Sequence, residues 1–190
     1  RSNPLGLAEF ALSRKDPAYV GRAKEVQKAQ KAIEANACPV EALEELKPVL
    51  ATIQTVYPEV GKGNLGVGST IFAVKPGDGS AREQAASCQK VLGGLANIAV
   101  MYGTKRYRSN LINWGCLPFT VNSIQELNLH NGDRIFIKDI KDAVANLERN
   151  VTATVYRTNG SVDECQLTLA DISKDEADIL LAGCLINYYN

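Results

Sequence analysis

The chain has 190 residues, 45% of them hydrophobic, and its 21 Lys and Arg residues balance its 21 Asp and Glu residues. These values are typical of one globular domain, or of a domain with a helical extension. Because the net charge is zero, no global field favours nucleic acid or a membrane surface as a partner. Apolar runs stay well below the roughly 18 residues of a membrane span, and no signal peptide is recognisable, so we expect a cytoplasmic protein.

The first 68 residues are interpreted as a helical segment followed by a glycine-rich connector. After a short helical turn at 7–12, apolar residues three or four apart predict a helix over 17–36. A second helix is predicted over 39–56, with a break or kink at Pro48. These two helices would form a hairpin that lies on the core of the protein.

A strand, a helix and a second strand come next. The apolar run 70–75 predicts a buried strand, residues 80–92 have helical spacing, and 96–102 is a second apolar run. Two strands joined by one helix run parallel, and their ligands bind beyond the carboxyl ends of the strands. The turn 76–82 and the segment after Tyr102 are therefore predicted to lie on one rim.

The remainder of the chain is predicted to be rich in β-structure. In order, we expect a helix that ends near Trp114, an extended segment at 116–121, a strand at 134–138, a helix or turn at 141–147, a hairpin of 151–157 and 162–169, and a last helix from Ser173 to about Leu185.

The turn 76–82 is the candidate functional site. Its glycines, Gly77 and Gly79, let a ligand approach the backbone closely, and a helix N-terminus offers unpaired N–H groups to an anion. Arg82 adds a planar cation suited to carboxylate or phosphate. The alternative is purely structural, with Ser80 as the helix cap and Glu83 completing a capping box. The turn matches neither a P-loop nor the dinucleotide fingerprint.

A basic segment follows the second predicted strand. Lys105, Arg106 and Arg108 lie where a helix is predicted to begin, although positive charge is unfavourable at that end of the helix dipole. Their position on the same rim favours a second contact with an anion. The alternative is an ordinary solvated helix start.

Cysteine and histidine usage argues against a metal site in this chain. The five cysteines are scattered and form no Cys-x-x-Cys pair, which disfavours a disulfide framework and a zinc site. We expect free thiols in a reducing compartment. The single histidine, His130, lies in a turn pattern without an evident partner, so we interpret it as a turn residue rather than a catalytic base.

Several stretches share a family pattern when they are read together. They are Gly-Asp-Gly-Ser-Ala-Arg-Glu-Gln-Ala-Ala at 77–86, Leu-Gly-Gly at 92–94, Arg-Ser-Asn-Leu at 108–111 and Trp-Gly-Cys-Leu-Pro-Phe at 114–119. In this order they resemble the swivelling fourth domain of the aconitase family, which typically has Gly-Ser-Ser-Arg-Glu-His-Ala-Ala and later an Asn followed by Gly-Leu-Leu-Pro. The resemblance covers about 69–185 and is nearest to the bacterial hydratase branch.

The resemblance implies a fold and a division of the chain. The fold is α/β, a swivelling β/β/α domain of aconitase type with a mixed sheet and flanking helices, preceded by the N-terminal helical hairpin. Residues 69–190 would form this swivel domain, and residues 1–68 the helical segment and its connector.

The implied activity is that of a hydro-lyase, which adds or removes water across a carbon–carbon double bond of a hydroxy di- or tricarboxylic acid. Carried over from the family motif, Ser80 is the catalytic base and Arg82 binds substrate carboxylate, with Gly79 beside them. Arg1 is assigned as a further substrate-binding arginine. A serine becomes a base only where its alkoxide is stabilised, as helix N–H groups and an arginine would do.

Two residues differ from the family motif, and the family's cluster ligands belong to other domains. Ala81 and Gln84 replace a family serine and a family histidine, so the substrate would differ from citrate and isocitrate. The family's 4Fe-4S cluster is held by three cysteines of other domains. We therefore expect no cofactor in this chain, a cluster in partner domains of the same or another chain, and no activity from this chain alone.

Two other functions stay open. Some cluster-free family members bind RNA, and the rim carries Tyr107 among its cations, but a zero net charge argues against nucleic acid as a partner. The other alternative is a non-catalytic member that senses a carboxylate or is structural, which Ala81 permits.

Overall fold

The structure is a computed structural model that describes residues 3–61, 63–169 and 171–190. Its N-terminal part contains the helices α1 (Pro4–Ser13), α2 (Pro17–Glu34), α3 (Pro39–Ala42) and α4 (Leu46–Val56). The first three begin at a proline, whose fixed φ and missing N–H suit the first helical turn. No helix of the described ranges has both the length and the apolar character that crossing a bilayer requires.

The helix predicted over 39–56 is two helices. The chain leaves helical conformation at Leu43, which has φ −145° and ψ 92°, and α4 begins three residues later. The break therefore precedes Pro48, which lies in the first turn of α4, where a helix needs no backbone N–H.

The second part of the chain alternates strands and helices. It contains β1 (Ser69–Ala73), α5 (Arg82–Val91), β2 (Gly94–Ala99), α6 (Lys105–Asn113), β3 (Leu117–Thr120), α7 (Ile124–Leu127), β4 (Arg134–Phe136), α8 (Ile140–Ala145), β5 (Asn150–Tyr156), β6 (Val162–Leu169), α9 (Lys174–Leu181) and α10 (Leu185–Tyr189). The predicted hairpin is confirmed as β5 and β6. The last predicted helix is instead divided at Gly183, whose φ of +90° interrupts the helix between α9 and α10.

The strands form one mixed sheet in the order β1-β2-β3-β6-β5-β4. The first three strands are parallel, as predicted for β1 and β2, and the other three pair antiparallel. Helices flank this sheet, which confirms the mixed α/β fold class. Side chains of the central strands, including Ile98, Phe119, Leu167 and Leu169, form the main core.

The N-terminal helices pack on α5. Ala8 of α1 and Ala23 of α2 are buried against Cys88 of α5 and Leu92, its C-cap. The amide of Gln27 donates a hydrogen bond to the Val91 carbonyl at 3.1 Å. This contact supports the helix whose N-terminus carries the candidate site. The predicted division between 1–68 and 69–190 stays a prediction.

Candidate functional site

The two loops that follow β1 and β2 meet on one rim, as predicted. The backbone N–H of Gly103 donates to the Pro76 carbonyl at 2.8 Å, and that of Met101 donates to the Val74 carbonyl at 3.1 Å. A Cβ atom at Gly103 would lie 2.7 Å from the backbone nitrogen of Asp78. The turn 76–82 therefore rests directly on the segment after β2.

The glycines of the turn have different roles. Gly77 has φ +83°, and a Cβ atom there would lie 2.1 Å from the ring of Tyr107, so both backbone conformation and packing require glycine. At Gly79 a Cβ atom would meet no atom of the described residues within 4 Å. The turn is thus packed tightly against α6 at Gly77 and open at Gly79.

The predicted capping box is wrong. The helix begins at Arg82 rather than Ser80, its N-cap is Ala81, and no side chain caps it. Glu83 does not reach back to Ser80. Its carboxylate accepts hydrogen bonds from Asn110 Nδ2 and Trp114 Nε1 instead. The donors on α6 draw this carboxylate away from the helix start, which leaves Ser80 exposed in the turn.

Arg82 is the first residue of α5 and is only partly exposed. Its Nε atom is buried and has no hydrogen-bond partner within the described part of the chain. Beside it, the first N–H groups of α5 are uncapped. A buried unpaired donor is costly, and an anion bound at this helix start would satisfy both the guanidinium and the backbone donors.

The basic segment does not form one free cluster. Arg108 donates from Nη1 and Nη2 to the two carboxylate oxygens of Glu176 at 3.0 and 3.2 Å, and also to the Asp171 carbonyl. It ties α6 to α9, so the expectation that it faces an anion on the rim is wrong. Lys105 and Arg106 are exposed, and Thr104 caps the helix they begin.

A buried polar network lies beneath the rim. Asn97 of β2 donates from Nδ2 to the Tyr107 hydroxyl at 3.0 Å and accepts from Gln89 of α5. Burial raises the pKa of the Tyr107 hydroxyl, so this group stays a neutral partner of Asn97. The sequence patterns did not predict this network, although an Asn in the middle of an apolar strand was a signal for it.

The described residues do not fit an iron–sulfur cluster or another metal. Within 3–61, 63–169 and 171–190, no three His, Cys, Asp or Glu residues are grouped as metal ligands, and the five cysteines are free. Burial raises the pKa of the Cys116 thiol to about 11, which keeps it protonated. Arg1 lies outside the described residues. His130 is exposed in a turn, where its backbone N–H donates to Asp133.

A broad groove of about 1720 Å³ lies away from the rim, between the N-terminal helices and one face of the sheet. Its lining includes Ile53, Val60, Phe72 and Phe119, and it does not include residues of the turn 76–82. Arg22, Arg134 and Lys138 also line this groove, but each is paired with a carboxylate of the chain. The rim, where Arg82 Nε has no partner among the described residues, therefore remains the candidate site.

Three comparisons with known proteins found similar sequences or structures. Residues 64–123 match the family model described as the aconitase C-terminal domain. Aconitate hydratase A of Rickettsia bellii is 30% identical over 141 residues, which cover 71% of this chain and 16% of that protein. The crystal structure of 3-isopropylmalate dehydratase from Methanocaldococcus jannaschii matches with 28% identity and a TM-score of 0.45, covering 70% of this chain and 68% of that one.

The chain spans 16% of the length of the curated relative it matches. The family match at 64–123 nevertheless includes β1, the turn 76–82, α5, β2, α6 and β3, and hence the whole rim. Residues 64–123, which carry the candidate site, thus match the C-terminal domain of the aconitase family.

Proposed function

We propose that this chain supplies a serine base and a carboxylate-binding arginine to an aconitase-like hydro-lyase acting on a hydroxy di- or tricarboxylic acid. The observation that carries the proposal is Arg82, whose buried Nε has no partner among the described residues beside an uncapped helix start. A substrate carboxylate would supply the missing acceptor. The name of the matched relative, aconitate hydratase A, supports the reaction class.

In this proposal Ser80 and Arg82 have separate tasks. Dehydration removes a carbon-bound proton and a hydroxyl group from neighbouring carbon atoms. Ser80 Oγ, as the alkoxide, takes the carbon-bound proton; the C–H electron pair forms the double bond, and the hydroxyl leaves the neighbouring carbon as hydroxide with the C–O electron pair. Arg82 holds a carboxylate of the same substrate. The uncapped N–H groups of α5 and the guanidinium lower the cost of the serine alkoxide, and the open side of Gly79 admits the substrate.

The partner is proposed to be a cluster-bearing domain of the same or another chain. The described residues offer no group of three or more ligands for a cluster, so a 4Fe-4S cluster would be held by that partner. Val74 and Met101 flank the turn with exposed side chains, 58% and 53% accessible. A domain that closes over them would bury apolar surface and exclude water from Ser80. The chain alone would then be inactive.

A non-catalytic role in binding or sensing a carboxylate is the second candidate. Ser80 makes no side-chain hydrogen bond to another residue of the described part of the chain, so a base that would activate it is not in contact. This observation favours carboxylate binding without turnover. The RNA-binding alternative is weaker, because Arg108 is engaged by Glu176 and does not contribute to a basic patch.

The test is turnover by the assembled enzyme, reconstituted anaerobically with iron and sulfide. A panel of hydroxy di- and tricarboxylates would be followed by absorbance of the unsaturated product. Ser80→Ala is expected to lower kcat by about 10²-fold or more, corresponding to at least ~2.7 kcal/mol of transition-state stabilisation. Ser87→Ala is the matched control, because Ser87 lies on α5 and its hydroxyl donates to the Gln84 carbonyl at 3.1 Å, away from the turn.

The outcomes separate the two candidates. Equal rates for wild type and Ser80→Ala would remove the serine base from the proposal. A wild-type enzyme that binds carboxylates but turns none of them over would favour sensing. Loss of rate in both Ser80→Ala and Ser87→Ala would indicate damage to α5 rather than to the chemistry.

A further inference from the structure

Glu83 links the start of α5 to the end of α6. One oxygen of its carboxylate accepts from Asn110 Nδ2 and the other from Trp114 Nε1. Asn110 is 8% exposed and lies in the last turns of α6, and Trp114 is the C-cap of that helix. Both oxygens of the carboxylate thus have a neutral donor on one neighbouring helix, and we call this contact the Glu83 clamp.

One face of α6 and its C-cap contacts both Glu83 and the turn that precedes α5. Tyr107, Asn110 and Trp114 are spaced i, i+3 and i+7, so they share one face of a helix. Tyr107 packs under Gly77, while Asn110 and Trp114 hold Glu83. The residues between Gly77 and Glu83, which include Ser80 and Arg82, are therefore fixed at both ends by α6.

The clamp also sets the direction of Arg82. Successive residues of a helix point about 100° apart, because 3.6 residues complete one turn. Arg82 and Glu83 are the first two residues of α5, and this helix start has no side-chain cap. A contact that fixes the Glu83 side chain thus also fixes the rotation of the first turn, and with it the direction in which the Arg82 side chain leaves the helix.

We infer that Glu83, held by Asn110 and Trp114, is a positioning residue for Arg82 and Ser80. The inference rests on the proposed function, since it concerns the same rim. Glu83 acts through Arg82 and does not touch the substrate. Changing Glu83 alone would also remove a negative charge near a bound anion, so the donors on α6 provide the cleaner test.

The test uses the 190-residue chain and tricarballylate, a stable tricarboxylate, as the probe. Trp114→Phe removes one donor and keeps an aromatic ring. Asn110→Asp places a second carboxylate against Glu83, and Asn110→Asp combined with Glu83→Gln restores a donor–acceptor pair with the amide on the other partner. Ser109→Ala is the control, because its hydroxyl bonds the Lys105 carbonyl at 3.2 Å and not Glu83.

Three quantities would be measured for each variant. They are the affinity for tricarballylate, hydrogen exchange of the amides at 80–83, and the free energy of unfolding. The indole N–H resonance adds a direct probe of the clamp in every variant that keeps Trp114, because the chain has one tryptophan.

Trp114→Phe loses one hydrogen bond, and Asn110→Asp replaces one with a like-charge contact. We expect both to lower the affinity by about threefold to tenfold and to speed exchange at 80–83, because each loosens the positioning of Arg82 without removing its contact with the anion. The double variant is expected to restore the affinity and the slower exchange at 80–83, and Ser109→Ala is expected to change neither the affinity nor the exchange. The indole resonance should shift in Asn110→Asp, because the carboxylate that accepts the Trp114 N–H is displaced there.

Two results would overturn the inference. One is unchanged exchange at 80–83 in both Trp114→Phe and Asn110→Asp. The other is an affinity that follows the free energy of unfolding in every variant, with no recovery in the double variant. A wild-type chain that binds no tricarballylate would count against the proposed anion site, while exchange at 80–83 and the indole resonance would still decide for or against the clamp.

Discussion

The substitution Gly77→Ala should destabilise the protein far more than the neighbouring Gly79→Ala. At Gly77 the backbone has φ +83°, and the added methyl would lie 2.1 Å from the Tyr107 ring. A left-handed conformation costs a residue with a side chain about 1–2 kcal/mol, and overpacking adds about 1–3 kcal/mol. We therefore expect Gly77→Ala to lower the free energy of unfolding by about 2–5 kcal/mol.

Gly79 has neither constraint, since its added methyl would meet no described atom within 4 Å. Gly79→Ala should change the free energy of unfolding by less than about 0.5 kcal/mol. Its methyl would enter the space through which the proposed substrate approaches, so the affinity for a carboxylate should fall.

Urea unfolding followed by circular dichroism measures the free energy of unfolding, and titration with tricarballylate measures the affinity for a carboxylate. If Gly77→Ala unfolds within about 0.5 kcal/mol of wild type, the packing of the turn on Tyr107 is not as described. If Gly79→Ala binds the tricarboxylate as tightly as wild type, the ligand does not approach from that side.

Three further predictions concern the rest of the molecule. Arg108→Gln should lower the free energy of unfolding in urea by about 1–3 kcal/mol, because it breaks the half-buried pair with Glu176, yet leave carboxylate affinity unchanged. Burial acts to raise the pKa of Asp133, but backbone N–H groups and an arginine hold it below its ordinary 3.8. The free energy of unfolding should therefore decrease as pH falls below 3.8. An Asp133→Asn variant should be less stable at neutral pH and should not show this acid-dependent decrease. Burial raises the pKa of Cys116 to about 11, so in the folded chain a thiol reagent near pH 8 should label exposed Cys38 first and Cys116 only after unfolding.

Sequence patterns predicted the strand, helix and strand around the site because their signals are local. The apolar runs at 70–75 and 96–102 lie close to β1 and β2, with boundaries shifted by one to three residues. The rule for parallel strands then placed the turn and the segment after Tyr102 on one rim, which the structure confirms.

The errors arose where a distant residue decides the outcome. Ser80 and Glu83 have the spacing of a capping box, but the donors that hold Glu83 are 27 and 31 residues away. Arg108 resembles a free cation at a helix start, but its partner Glu176 lies 68 residues away. A local pattern carries no information about such partners, so the structure was needed to separate Arg82 from Arg108.

The central claim is that Arg82 binds a substrate carboxylate on the rim. The most direct measurement is the affinity of the 190-residue chain for tricarballylate, with the Arg82 Nε–H resonance followed during the titration, for wild type, Arg82→Gln and the control Arg108→Gln. The account predicts that the resonance shifts on binding, that Arg82→Gln lowers the affinity by about 10- to 100-fold, and that Arg108→Gln binds as wild type does. Equal affinities in all three proteins, with an unshifted resonance, would contradict it.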